Sequence, residues 1–173
     1  MRWFGAACFL VLICAAPARA AEMPTRKAGL WEMTTTTPDG HAVSMQQCVD
    51  ARTDEAMQSR ATSTSQRDCS KRDVQKSGDT MTIDSVCTIA GNTRTSRSVI
   101  TGSFDSGYTM VITSQGQGNA AGRTITIAAK WAGPCKADQK PGDVIMPNGT
   151  KMNILDLARP PGASGSPGTI PTR

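Results

Sequence analysis

Apolar and polar residues alternate with a period of two through several short stretches of this chain, and turn residues separate the stretches. That pattern predicts an antiparallel sheet with one buried face. Helical periodicity is nearly absent. LWEMTTT, the turn Pro38-Asp39-Gly40 and HAVSMQQC form the first predicted hairpin, with Trp31 and Met33 on one face and Val43 and Met45 beside them on the return strand. CSKRDVQ, the turn KSGD and TMTIDSVCTI form a second, in which Met81, Ile83, Cys87 and Ile89 share a face. TRTSRSVITGSF then turns at Asp105-Ser106-Gly107 into YTMVITSQG, with Tyr108, Met110 and Ile112 in phase. After a Gly-rich loop, RTITIAAKWAG sets Ile125, Ile127, Ala129 and Trp131 on one side. Seven strands joined by sequential hairpins predict an all-β fold, an antiparallel meander that curls into a barrel or partial barrel, because an open edge invites aggregation.

One short helix interrupts the strands. In VDARTDEAMQSR, Thr53 is the expected N-cap, with Asp54 and Glu55 placed favourably against the helix dipole, and Ser59 to Gln66 reads as a loop. Beyond Cys135 the composition shifts to PGDVIMPNG, a KMNILDLA that fits a helical turn, and RPPGASGSPGTIPTR. The domain is therefore expected over residues 21–136. Residues 137–173 read as a Pro/Gly-rich tail that is largely disordered, above all from about Ala158, because it has too little apolar surface to offset the ordering cost.

The first twenty residues, MRWFGAACFLVLICAAPARA, have a charge at Arg2, an apolar run from Trp3 to Ala16 and a small-x-small ending at Ala18-Arg19-Ala20. They read as a secretory signal cleaved after Ala20, which places the mature, soluble chain outside the cytoplasm. The run is shorter than the roughly 20 residues of a membrane span. Lipid attachment does not fit Cys8, too early in the run, or Cys14, which follows the bulky Ile13. Cleavage takes 20 of the 173 residues and two of the 19 basic ones, Arg2 and Arg19, leaving 153 residues with 17 basic against 14 acidic side chains and a net charge of +3. The basic residues are scattered among acids, so nucleic acid is not an expected partner. Trp31, Trp131, Phe104 and Tyr108 are the only aromatics left, which makes for a small core that cross-links would reinforce.

Four cysteines remain, Cys48, Cys69, Cys87 and Cys135. In an oxidising compartment they pair, and four cysteines allow three connectivities. Positions opposed across a hairpin centred on Gly78 have numbers that sum to 156, as 69 and 87 do, which brings the pair within the roughly 4.4–6.8 Å between Cα atoms that a disulfide tolerates. Cys69–Cys87 is therefore the expected bond, leaving Cys48–Cys135 to fasten the ends of the meander. This register sets Asp73 opposite Ile83, whereas a one-residue shift would turn Val74 to the apolar face; a bulge near the turn is the expected reconciliation. With no C-x-x-C pair, the spacings point away from structural zinc.

Candidate chemistry is sparse. His41 is the only histidine and sits in a predicted hairpin turn, and no G-x-S-x-G elbow accompanies it. Glu32, Asp73 and Asp84 are the carboxylates that distant strands would have to gather for hydrolysis; solvated strand residues are the simpler reading. Met33, Met45, Met81 and Met110 occupy inward positions where thioethers can hold Cu(I), but they serve equally as adaptable core filler in an aromatic-poor interior. Gly29-Leu30-Trp31 is similar to the G-x-W that opens lipocalin barrels, and is equally a glycine and a tryptophan closing one end of a sheet. Asn148-Gly149-Thr150 matches a glycosylation acceptor and is more simply a turn.

The order KAGLWEMTTT, MQQC, a cysteine followed by DVQKSGDTMTIDSVC, then ITGSFDSGYTMVITS and a closing WAGPC resembles a family of small exported bacterial proteins, domain of unknown function 3617 (DUF3617). Ala28 stands where that family usually has proline. The resemblance covers about residues 26–136 and implies a periplasmic or envelope location, with no known substrate, catalytic residue or partner.

The sequence thus predicts an exported protein that is not an enzyme and uses no cofactor or metal, a binding or interaction module whose partner is an envelope protein or a small apolar ligand. A lipocalin-like carrier of a small apolar ligand is the alternative, and an unusual carboxylate-based hydrolase the third reading.

Overall fold

The computed structural model describes residues 23–66, 69–89, 91–116 and 122–158. The predicted leader and the last part of the predicted tail lie outside the described residues. Among the described residues nine strands form one antiparallel sheet: β1 (Gly29–Thr36), β2 (Ala42–Val49), β3 (Cys69–Ser77), β4 (Thr80–Ile89), β5 (Asn92–Ser103), β6 (Gly107–Gly116), β7 (Arg123–Gly133), β8 (Asp143–Ile145) and β9 (Lys151–Asn153). Their order is β3-β4-β5-β6-β7-β1-β2-β8-β9. The sheet is a partial barrel, with β3 and β9 as its edges. Lys71, Arg72, Asp73 and Lys76 fill β3 with charge and β9 is only three residues long, two features that discourage edge-to-edge pairing.

The seven long strands are those read from the alternation. β1 and β2 do not, however, sit at the start of a simple meander: β1 pairs with β7 on its other side, so the first hairpin is inserted between the last long strand and β8. The segment beyond residue 136 also differs from expectation. β8 pairs with β2 and β9 with β8, so the sheet continues to residue 153, followed by a 3-10 turn over Asp156–Ala158. Asp143 explains why so short a piece is ordered: it accepts from the Lys140 amide at 2.9 Å and from Asn153 Nδ2 at 2.8 Å, while the Gly142 amide donates to the Cys48 carbonyl at 2.8 Å. At the β8–β9 turn, Asn148 Oδ1 accepts from the Thr150 amide at 3.0 Å, the turn reading of that tripeptide.

α1 runs over Ala51–Gln66, so the stretch expected to be a loop continues the helix. Its N-cap is Asp50, not Thr53. Asp50 Oδ1 accepts from the Thr53 amide at 2.8 Å, and Thr53 Oγ1 accepts from the Asp50 amide at 2.9 Å, a reciprocal box across the first turn. The hydrogen bonds from Thr53 hold the Asp50 carboxyl below the usual carboxylate range.

Both disulfides join the expected cysteines, Cys48–Cys135 and Cys69–Cys87. The β3–β4 register corrects the reasoning behind the second. Ser77 pairs with Thr80, so the hairpin is centred between Gly78 and Asp79, and Val74, not Asp73, faces Ile83. The ladder shifts between Cys69 and Lys71, and this bulge returns Cys69 to Cys87. The irregularity therefore sits at the cysteine end and not at the turn. The two Cα atoms are 3.8 Å apart, closer than the roughly 4.4 Å at which ordinary bridges begin.

The core lies on the concave face. Trp31, Val49, Met81, Ile100, Tyr108 and Ala129 are buried together, and Met33, Met57, Phe104 and Trp131 pack against them. Tyr108 stacks on Phe104 at 4.7 Å and meets Trp31 at 5.9 Å. Burial raises the Tyr108 phenol above its ordinary pKa.

Candidate functional site

The N-terminal segment crosses the concave face ahead of β1 and is anchored by both tryptophans. Trp31 Nε1 donates to the Lys27 carbonyl at 2.8 Å and Trp131 Nε1 to the Ala28 carbonyl at 3.1 Å, while Lys27 Nζ lies 3.8 Å from the Trp131 ring centre. This arrangement places Arg26 over Trp31 and against α1. Arg26 Nε donates to Asp54 Oδ1 at 2.6 Å, its amide to Asp54 Oδ2 at 2.8 Å, and Nη1 to Gln47 Oε1 at 2.9 Å. Asp54 is fully buried and Arg26 nearly so. The charges are desolvated together and satisfied in full, the condition under which a buried pair is tolerated.

Between α1, this segment and strands β3–β6 runs a groove of about 560 Å³. Its composition follows from the register. The row of Met81, Ile100 and Met110 presents Met110 to the groove; the next contributes Ile83, Ser98 and Ile112; the third is Arg72, Ser85, Ser96 and Ser114; the last is Cys69, Cys87 and Arg94. Steps of two residues keep every row on one face, so the lining changes from apolar to hydroxyl to cationic along the strands. Ser85 and Ser96 share a hydrogen bond of 2.8 Å. No aspartate or glutamate among the described residues lines the groove.

The residues singled out from the sequence are dispersed. His41 is exposed in the β1–β2 turn with Asp39 Oδ2 at 3.8 Å, away from the groove. Glu32 lies opposite Lys130 and Gln46. Asp73 and Asp84 do come together as cross-strand partners, but Asp84 is paired with Arg97 at 3.8 Å and Asp73 accepts from Gln75 at 2.9 Å. Met33 and Met110 line the groove with Met23 and Met57, Met81 is buried in the core beneath them, and Met45 lines a separate hollow with Ile145 and Pro147. The sulfurs of Met33 and Met57 accept from Arg26 at 3.4 and 3.5 Å, so a guanidinium stands where a thioether-bound cation would have to sit. Among the described residues no group of three His, Cys, Asp or Glu side chains is placed to hold a metal ion.

Sequence reading missed Arg26, Asp54, Arg72 and Arg94 as parts of one site. Arg72 and Arg94 had a signal: Arg94, Ser96, Ser98 and Ile100 are in phase with the inward face, and a charged residue in that phase marks a polar end of the concavity. Arg26 had none, because nothing local predicts that the segment before a strand folds across a sheet.

A sequence model of the family described as "Protein of unknown function (DUF3617)" matches residues 26–135. This chain is a member of the DUF3617 family. Its matched span opens at Arg26 and closes at Cys135, the residues that pin the N-terminal segment and the end of the last long strand. No curated protein and no solved structure matches the chain.

Proposed function

We propose that this DUF3617 protein is a non-enzymatic binding module of the periplasm that holds a small, largely apolar molecule on the concave face of its sheet. The observation that carries the reading is the groove of about 560 Å³, a volume within the roughly 300–1,000 Å³ of small-molecule sites. Its floor is preformed by Ile83, Met110 and Ile112 on a disulfide-braced sheet. Binding without chemistry is favoured because His41, Glu32 and the Asp73–Asp84 pair all lie off the groove. The location is favoured by the leader sequence and by two disulfides, which persist in oxidising compartments. No helix among the described residues is long and apolar enough to cross a membrane.

Native mass spectrometry of the protein purified after export, without detergent, tests the reading. The expected result is a co-purifying small molecule, or uptake of one from an apolar panel, that is lost in a Ser98→Trp variant whose added bulk fills the groove. Equal binding by the wild type and this variant would refute it.

A further inference from the structure

We propose that the ligand is an anionic amphiphile, an acyl or alkyl chain ending in a carboxylate or phosphate, held with its tail on the floor formed by Ile83, Met110 and Ile112 and its head at Arg72 and Arg94. The inference rests on the binding reading above and adds the chemistry and direction of the bound molecule.

Charge complementarity carries it. Of the three cations among the described lining residues, Arg26 is neutralised by the buried Asp54, whereas the side chains of Arg72 and Arg94 make no ion pair or hydrogen bond among the described residues. With no acid among the described lining residues, that lining has an unbalanced positive end. A neutral apolar guest would leave those charges unanswered, and a cationic one would be repelled. An anionic head receives charge-assisted hydrogen bonds from guanidinium groups, whose planar donors match carboxylate and phosphate geometry.

Register supplies the direction. From the Met81 row to the Cys87 row the strands advance six residues, roughly 20 Å at the rise of an antiparallel strand. Along that distance the lining passes from thioether and isoleucine, through Ser98, to the hydroxyls of Ser85, Ser96 and Ser114 with Arg72 in the same row, and last to Arg94, the two arginines flanking β4 from β3 and β5. An extended chain with one charged end is the shape this gradient accommodates. The cations at the far end are exposed whereas Ile83, Met110 and Ile112 are half-buried, so the tail takes the more desolvated end while the head stays at the mouth.

The test uses three probes with the same twelve-carbon chain, below micelle formation: dodecanoate, dodecanol and dodecyltrimethylammonium, titrated calorimetrically into the exported, oxidised protein and its Arg72→Gln/Arg94→Gln variant. Dodecanoate is expected to bind about tenfold or more tightly than the ammonium. The double variant should lose about that factor for dodecanoate while its affinity for dodecanol stays within about twofold. Dodecyl phosphate run beside dodecanoate distinguishes the two head groups that the arginines accommodate. Equal affinity for dodecanoate and the ammonium, or a double variant that binds dodecanoate normally, overturns the head-group assignment while leaving the groove intact. Failure of all three probes, together with binding of an acidic peptide at Arg72 and Arg94, overturns both readings in favour of a protein partner.

Discussion

Arg26 holds Asp54 by two of its own groups at once, the Nε proton on one carboxylate oxygen and the backbone amide on the other, at 2.6 and 2.8 Å. Gln58 Nε2 adds a further donor to Asp54 Oδ2 at 2.8 Å and also reaches the Pro24 carbonyl at 3.1 Å. The N-terminal segment is thereby strapped to α1, and α1 to one wall of the groove. Removal of either charge leaves the other buried without a counterion. Asp54→Ala and Arg26→Ala should each cost about 3–5 kcal/mol in urea unfolding. The Arg26→Met/Asp54→Leu pair should cost clearly less than the sum of the two alanine variants. Simple additivity would show that the two groups do not act as a unit.

The Asp50 cap gives a pH-dependent contribution of definite sign. Its carboxyl is held below the usual range by Thr53, so the folded state binds the proton more weakly than the unfolded one. The stabilisation is complete above the ordinary carboxylate pKa of about 4 and disappears as pH falls through the lowered folded value. Asp50→Asn still caps and should leave stability at pH 7 within about 0.5 kcal/mol while flattening this part of the acid limb. Asp50→Ala should cost about 1 kcal/mol at pH 7. Stability of each variant against pH, by denaturant midpoint, decides; an unchanged acid limb in Asp50→Asn would contradict the assignment.

The two disulfides should be unequal. Cys48–Cys135 spans 87 positions and Cys69–Cys87 spans 18, and on the chain-entropy account these loops contribute about 4.6 and 3 kcal/mol. Paired serine substitutions should therefore lower the urea midpoint more for Cys48→Ser/Cys135→Ser than for Cys69→Ser/Cys87→Ser. The opposite order would mean that contacts around the bridges, and not loop closure, set their worth.

Gly29 sits at the irregularity between β1 and β7 with φ +133°. A Cβ there would press on the Gly133 carbonyl and lie 2.6 Å from Trp131 Nε1, the atom that anchors Ala28. Gly29→Ala should cost about 3 kcal/mol, the strained backbone added to the displaced indole. Gly40 also has positive φ but nothing within 4 Å of a Cβ, so Gly40→Ala should cost only about 1 kcal/mol. Thermal unfolding of both variants measures the contrast. Equal losses would locate the effect in the backbone alone.

What was legible in the sequence was what strand periodicity and turn chemistry encode locally. Met81 and Ile83 announce their face within one strand, and Gly78 and Gly40 announce their turns. Cys69 and Cys87 were paired correctly on a register that fails at Asp73, since a bulge beside Cys69 returns them to opposition and no residue type at Ser70 signals a bulge. β8 and β9 were missed because three residues are too few to display a period. The helical turns after Ser59 were missed because Ser and Thr favour loops when nothing else is known. The groove depends on four strands lying in one register and on a segment folding across them. Arg72, Arg94 and Arg26 therefore become one site only in three dimensions.

The position of β1 between β2 and β7 has a consequence for maturation. A chain that arrives N-terminus first delivers Cys48, then Cys69 and Cys87, and only much later the Cys135 that Cys48 must find. In that interval the first thiol meets two wrong partners before the right one exists, and a bond made then has to be undone by thiolate exchange, on a scale of seconds to hours without an isomerase. The yield of native protein is thus governed by the reshuffling capacity of its surroundings as much as by their oxidising strength.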